Sequence, residues 1–147
     1  MIATASGSRH SRVDYRALAD FRHEIRRFLR VSEQAARGAG LEPQHHQLLL
    51  AIKGAPPGDP PTIAYLAERL QLRHHSIVGL VDRLEQRGLV HRRRDPADHR
   101  RALVSLTDAG EQILHTLSVL HQDEIRSRAA GLIAAMMPIV RAARTRK

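Results

Sequence analysis

The sequence predicts a mainly α-helical domain carrying one short β-hairpin, an α+β chain dominated by helix. Three observations predict it. Apolar residues recur at spacings of three and four through most of the chain. Aromatics are scarce, with two Phe, two Tyr and no Trp, so the core is built from Leu, Ile, Val and Ala, which favours packed helices over a β-sandwich. One stretch, residues 89–106, abandons the helical period for two β-prone runs around an Arg-dense centre.

The elements follow in order. Met1 to Arg12 is rich in Ser, Gly and Arg, has no apolar core of a secretory signal, and reads as a short flexible tail. From Val13 to about Arg37, Leu18, Phe21, Ile25 and Phe28 form a helical stripe that Gly38 and Gly40 end. Pro43 suits the first turn of a second helix reaching Lys53, with Leu48, Leu49 and Ile52 inward. Gly54 to Pro61 is a Pro/Gly loop. Thr62 is the expected N-cap of a short helix, Ile63 to Leu70, and Gln71 to Arg73 connects it to another, His74 to Gln86, which Gly88 stops. Two helices joined by three residues form a helix-turn-helix.

Leu89 to His91 and Ala102 to Leu106 read as strands of a hairpin whose tip is charged, a wing. Thr107 is placed to cap a long helix to about Arg128, with Ile113, Leu117 and Leu120 on one face. Gly131 marks an expected break before a last helix, Leu132 to about Ala143, in which Pro138 predicts a kink or an early end. The domain plan is therefore a winged helix-turn-helix over about residues 55–108, flanked by terminal helices at about 13–38 and 108–145. The terminal helices carry more apolar surface than one small domain needs, which points to pairing with a second copy.

Charge identifies the class of partner. Twenty-four Lys and Arg against fifteen Asp and Glu give a formal net charge of +9, a balance that favours an anionic polymer. Lys53 and Lys147 are the only lysines; arginine's planar fork suits phosphate and guanine. With no cysteine, disulfides and thiolate metal sites are excluded, and a reducing cytoplasm is the expected location. No apolar run is long enough for a membrane span. No Ser, His and carboxylate spacing suggests a nucleophile with its base, so an enzyme is not expected, and neither is a cofactor.

Two groups of residues carry the DNA-binding reading. Arg73, His74, His75 and Ser76 open the second helix of the pair, where backbone N–H groups also suit a phosphate. Arg83, further along, is a candidate phosphate contact or partner of a nearby acid. His91 to Arg101 holds five Arg in eleven residues. Arg92, Arg93 and Arg101 are candidate phosphate contacts, joined in the set by Arg94, Asp98, His99 and Arg100. Asp95 and Asp98 are placed to hold an Arg in a fixed direction, and an Arg at a hairpin tip suits the minor groove.

The runs Ile63 to Leu70, Val81 to Val90, Asp95 to Arg101 and Val104 to Gly110 resemble the MarR family of transcriptional regulators, and the order of helices extends the likeness from about Val13 onward. The resemblance implies a homodimer whose terminal helices interlock, with two winged lobes on successive major grooves of a pseudo-palindromic duplex. It implies Arg100 as the minor-groove residue, positioned by Asp98, and repression relieved by a small anionic or phenolic ligand between the dimer helices and the DNA-binding lobe. His45 and His46 are candidate linings of that crevice. His99 stands where the family often has Arg, Arg73 where it often has a Ser N-cap, and Gly79 where a longer polar residue is common. The absence of Cys excludes the family's peroxide sensing. Two alternatives stay open: a zinc-responsive regulator using His45 or His46 with Glu111 and His115, and a module that coats DNA without sequence preference.

Overall fold

The computed structural model describes residues 13–144, so the N-terminal tail lies outside the described residues. The order is α1 (Tyr15–Gly38), α2 (Pro43–Lys53), α3 (Ile63–Leu70), α4 (His74–Gln86), β1 (Val90–Arg94), β2 (Ala102–Leu106) and α5 (Asp108–Arg144). Asp14 starts α1 by accepting the Ala17 N–H at 3.0 Å, and Thr62 starts α3 by accepting the Tyr65 N–H at 3.1 Å. Such caps satisfy a donor that the first helical turn leaves free.

Three helices end in the same double closure. The Leu41, Leu72 and Leu89 N–H groups donate to the Ala36, Ala67 and Leu84 carbonyls at 2.9, 3.0 and 2.9 Å. The residue before each Leu takes positive φ: Gly40 at 77°, Gln71 at 53° and Gly88 at 68°. Glycine meets this demand without strain, whereas Gln71 compensates by donating its side-chain amide to the Glu68 carbonyl at 2.8 Å. Leu41 and Leu89 are then buried beneath the helices they terminate.

The core sits where α2, α3, α4 and the hairpin meet the first turns of α5, built from Leu48, Leu66, Ile77, Leu84, Val104 and Leu117 among others. The strands pair antiparallel, with Val90 opposite Leu106, Arg92 opposite Val104 and Arg94 opposite Ala102. Strand β1 runs three residues further into the Arg-rich stretch than the periodicity predicts, because backbone pairing with β2 overrides the polar character of its side chains. The loop before α3 joins the sheet edge: Val104 donates its N–H to the Pro61 carbonyl at 2.9 Å.

Helix α5 differs most from expectation. It runs unbroken through Gly131 and Pro138 for 37 residues. One interior Gly costs about 1 kcal/mol, and the long seam with α1, the most extensive helix pairing in the molecule, offsets it. Pro138 removes one N–H from the ladder, yet the helix continues past it. At the other end Thr107 ties three elements together. Its hydroxyl donates to the Gly88 carbonyl at 2.6 Å and accepts the Gly110 N–H at 3.1 Å, while its own N–H donates to the Leu89 carbonyl at 3.1 Å. A Cβ on Gly110 would lie 2.1 Å from the Leu89 oxygen.

Gly110→Ala is therefore expected to lose about 1–3 kcal/mol of stability through overpacking. Gly131→Ala, whose added methyl would meet only the Glu24 carboxylate at 3.4 Å, should gain roughly 0.5–1 kcal/mol. Urea denaturation checks both, and equal midpoints for the two variants would refute the close-approach account.

Candidate nucleic-acid interface

The second helix of the pair, α4, opens without a side-chain cap. Arg73 occupies the N-cap position in extended backbone (φ −71°, ψ 152°), and its side chain makes no capping hydrogen bond. Arg73, His74 and His75 are exposed, whereas Ser76 is half-buried, and its backbone N–H donates to the Arg73 carbonyl at 3.0 Å. The helix thus presents uncapped N–H groups and three unpaired polar side chains together, with Ile77, Leu80, Val81 and Leu84 fixing the opposite face in the core. Gly79 has open space where a Cβ would stand, so polar chemistry is concentrated at the helix start.

The wing tip is built by two aspartates. Asp95 is buried; it accepts the Ala97 N–H at 2.9 Å and an Arg101 Nη2 hydrogen at 2.6 Å. The hydrogen bond from Ala97, reinforced by Arg101, holds its carboxyl below the ordinary carboxylate range. Asp98 accepts from both the backbone N–H and the Nε of Arg100, each at 3.1 Å. The guanidinium bond comes first in depressing its carboxyl, the backbone bond second. The Arg100 side chain is nevertheless 91 % exposed, so it is aimed by Asp98 yet open to a partner. Arg94 reaches the His99 carbonyl at 3.4 Å. Arg92, Arg93, Arg94, His99, Arg100 and Arg101 surround a hollow of about 700 Å³.

Two candidates are placed differently from their neighbours. Arg92 donates to Asp82 at 2.6 Å and to Glu85 at 3.2 Å, so carboxylates of α4 hold its guanidinium. Arg83, further along α4, lines a cleft with Glu33, Arg37, Glu42 and His45.

The paired histidines of α2 are buried, His45 at 6 % and His46 at 2 % exposure. Among the described residues, both His46 ring nitrogens and the His45 Nδ1 lack a hydrogen-bond partner. His46 lies beside His121 of α5, ring centroids 5.7 Å apart, and Phe28 meets His121 edge-on at 5.0 Å. These rings, with Ser32, Leu117 and Leu120, line a cavity of about 200 Å³. The Ser32 hydroxyl lies 3.5 Å from the His121 Nδ1. Burial lowers the pKa of His46, with the neighbouring His121 contributing, and burial alone lowers that of His121. For His45 burial leads, followed by the Arg87 and Arg83 charges. Glu111 is engaged by Lys53 at 2.8 Å, and among the described residues no group of three or more His, Asp or Glu is arranged to hold a metal ion.

Comparison with known proteins decides the family. The MarR family model matches residues 39–101. The uncharacterized HTH-type transcriptional regulator YkoM of Bacillus subtilis (strain 168) is 30% identical over 122 residues, which are 80% of this chain and 76% of YkoM. The chain belongs to the MarR family of transcriptional regulators. Solved structures share the fold. AbsC, a MarR family regulator from Streptomyces coelicolor, aligns with a TM-score of 0.70 at 18% identity over 97% of this chain and all of AbsC. CouR from Rhodococcus jostii RHA1, solved with p-coumaroyl-CoA, aligns with a TM-score of 0.67 at 24% identity over 92% of each chain.

This MarR-family protein is accordingly a DNA-binding transcriptional regulator with a winged helix, and no described helix is long and apolar enough to cross a membrane. Sequence reasoning singled out the wing arginines but missed the acids of α4 that hold Arg92, and it missed His121 and Ser32. The spacing of Asp82 and Glu85, three apart on one helix face, was the available signal for the first. Nothing local flagged the second, because α1 and α5 are 89 positions apart at that contact.

The lowered histidine pKa values set a pH dependence. Below the ordinary 6.5 the unfolded chain binds protons that folded His46 and His121 refuse, so stability should fall as pH drops below 6.5 and level off once the buried rings protonate. Urea midpoints measured from pH 7.5 downward test this, and His46→Leu should flatten the slope; a wild-type profile flat through pH 6 would contradict it.

Proposed function

We propose that this MarR-family protein works as a homodimer on a pseudo-palindromic operator, as a repressor released by a small phenolic or anionic ligand. One observation carries the DNA part: Arg100 is at once fixed by Asp98 through its backbone and guanidinium and almost fully exposed. A pre-aimed guanidinium loses little freedom on entering a narrow, electronegative minor groove. Arg73, His74, His75 and Ser76 read bases from the start of α4, while Arg93 and Arg101 contact phosphates.

The second copy is supported by apolar surface that one chain leaves uncovered. Tyr15, Leu18 and Leu29 on α1, and Ile125, Ile133 and Val140 on α5, are all more than 40 % exposed. Two lobes then bind half-sites about one helical turn apart. The ligand reading is supported by the His46–His121 cavity, whose Phe28 and Leu walls suit a single aromatic ring and whose Ser32 and histidines suit its hydroxyl. The p-coumaroyl-CoA held by CouR fits the same ligand class. A ligand acts by binding the DNA-incompetent spacing of the lobes better than the competent one.

Arg100→Ala is expected to weaken operator binding by about 1–3 kcal/mol, and Arg93→Ala to lower the slope of log K against log salt by about one. Fluorescence anisotropy on a duplex selected from a random pool measures both, and wild-type behaviour in both variants would remove the wing from the interface. Binding should survive excess random DNA; loss to such competitor would favour the coating module instead. In a thermal-shift panel of phenols and phenolic acids, binders should raise the melting temperature of wild type but not of a Leu117→Trp variant that fills the cavity. A panel without binders would leave the release mechanism unsupported.

A further inference from the structure

Arg92 stands apart from the other wing arginines. Strand alternation sends Arg92 to the same face as buried Val90 and sends Arg93 to the opposite face. That inner face lies over α4, where Asp82 and Glu85, three residues apart, present carboxylates side by side. Three bonds meet there. The Arg92 Nη2 donates to Asp82 at 2.6 Å and to Glu85 at 3.2 Å, and the Arg92 backbone N–H donates to the second Glu85 oxygen at 3.1 Å. Glu85 therefore grips both the main chain and the side chain of one residue. The Arg92 side chain is 30 % exposed, against 55 % for Arg101 and 91 % for Arg100.

We infer that Arg92 is a positioning residue: it braces β1 against α4, fixing the direction of the wing relative to the base-reading helix, and it does not contact DNA. Two carboxylates held by the Arg92 Nη2 already offset its charge and draw it toward α4, which lessens what a phosphate contact would gain. A brace has a distinct value. The wing and the start of α4 address different grooves, so their relative direction decides whether both are engaged on one duplex. The wing is also tied to the domain on its β2 side, by buried Leu103 and Val104, the Thr62–Leu103 bridge and the backbone bond from Val104 to Pro61. Arg92 supplies the matching tie on the β1 side, directly opposite Val104, and joins the hairpin to α4.

This inference rests on the reading that the wing meets DNA, and the experiment separates the two. Salt titrations of operator binding are compared for Arg92→Gln, Arg92→Lys and Arg93→Gln. Arg92→Gln should lose about tenfold in affinity, within the range for residues in one ion-pair network, with the salt slope unchanged, since no counterion-releasing contact is removed. Its discrimination against duplexes altered at single base pairs should also decline. Arg93→Gln should instead lower the slope by about one and keep its discrimination. Arg92→Lys, whose ammonium ends one bond short of the Nη2 that reaches both carboxylates, should lose part of the affinity and discrimination, and it serves if Arg92→Gln fails to give the native circular dichroism spectrum. A slope reduced by Arg92→Gln as by Arg93→Gln, or wild-type binding by Arg92→Lys, overturns the brace alone. Wild-type binding by Arg92→Gln, Arg93→Gln and Arg100→Ala together removes the wing reading and the brace with it.

Discussion

The approach of α5 to the Leu89 carbonyl is the constraint on which the rest of the molecule depends. Gly110 permits it, because the space of a Cβ is already taken by the Leu89 oxygen. Thr107 secures it by bonding to Gly88, Leu89 and Gly110 at once. Through this one junction the end of α4, the root of the wing and the start of the long helix become a single corner. Leu84, Leu89, Val90, Val104 and Leu114 fill that corner and exclude water from it, so the backbone bonds within it are not weakened by competition with solvent. A wing rooted in such a corner keeps its base fixed while its charged end stays in water.

That charged end is organised by opposition. Five guanidiniums within eleven residues would repel one another if free. Asp95, Asp98, Asp82 and Glu85 each take a share of that charge and give it a direction. Exposed pairs of this kind contribute little to folding. Their consequence is geometric: Arg100 points outward from a fixed origin, Arg101 is drawn back to a buried carboxylate, and Arg92 is turned inward. Net charge attracts a polyanion at a distance, and the acids decide which of the cations stay exposed.

Much of this was legible in the sequence. Caps at Thr62 and Thr107, the stops at Gly40 and Gly88, and the 3.6-residue stripes of α2, α3 and α4 are local signals, and local physics produced those elements. The features that the sequence did not reveal share a cause. Gly131 and Pro138 are breakers by intrinsic preference, but α5 lies along α1, and packing of that length outweighs two weak positions. His45 and His46 read as polar, yet α1, α4 and α5 close over them. Arg92 looked like its neighbours until strand pairing fixed which face it occupied. In each case tertiary contact, which no window of sequence contains, reversed a local preference.

The unbroken course of α5 has a mechanical consequence. At 37 residues the helix is about 55 Å long. One end is welded to the wing root, and most of the remainder carries apolar surface exposed in the single chain. Over that length a tilt of about 5° about the far end would displace the near end by about 5 Å. Two breaks, had Gly131 and Pro138 interrupted the helix, would have dissipated that motion in the joints. As one piece, the helix joins its long seam with α1 to the wing root without an intervening joint.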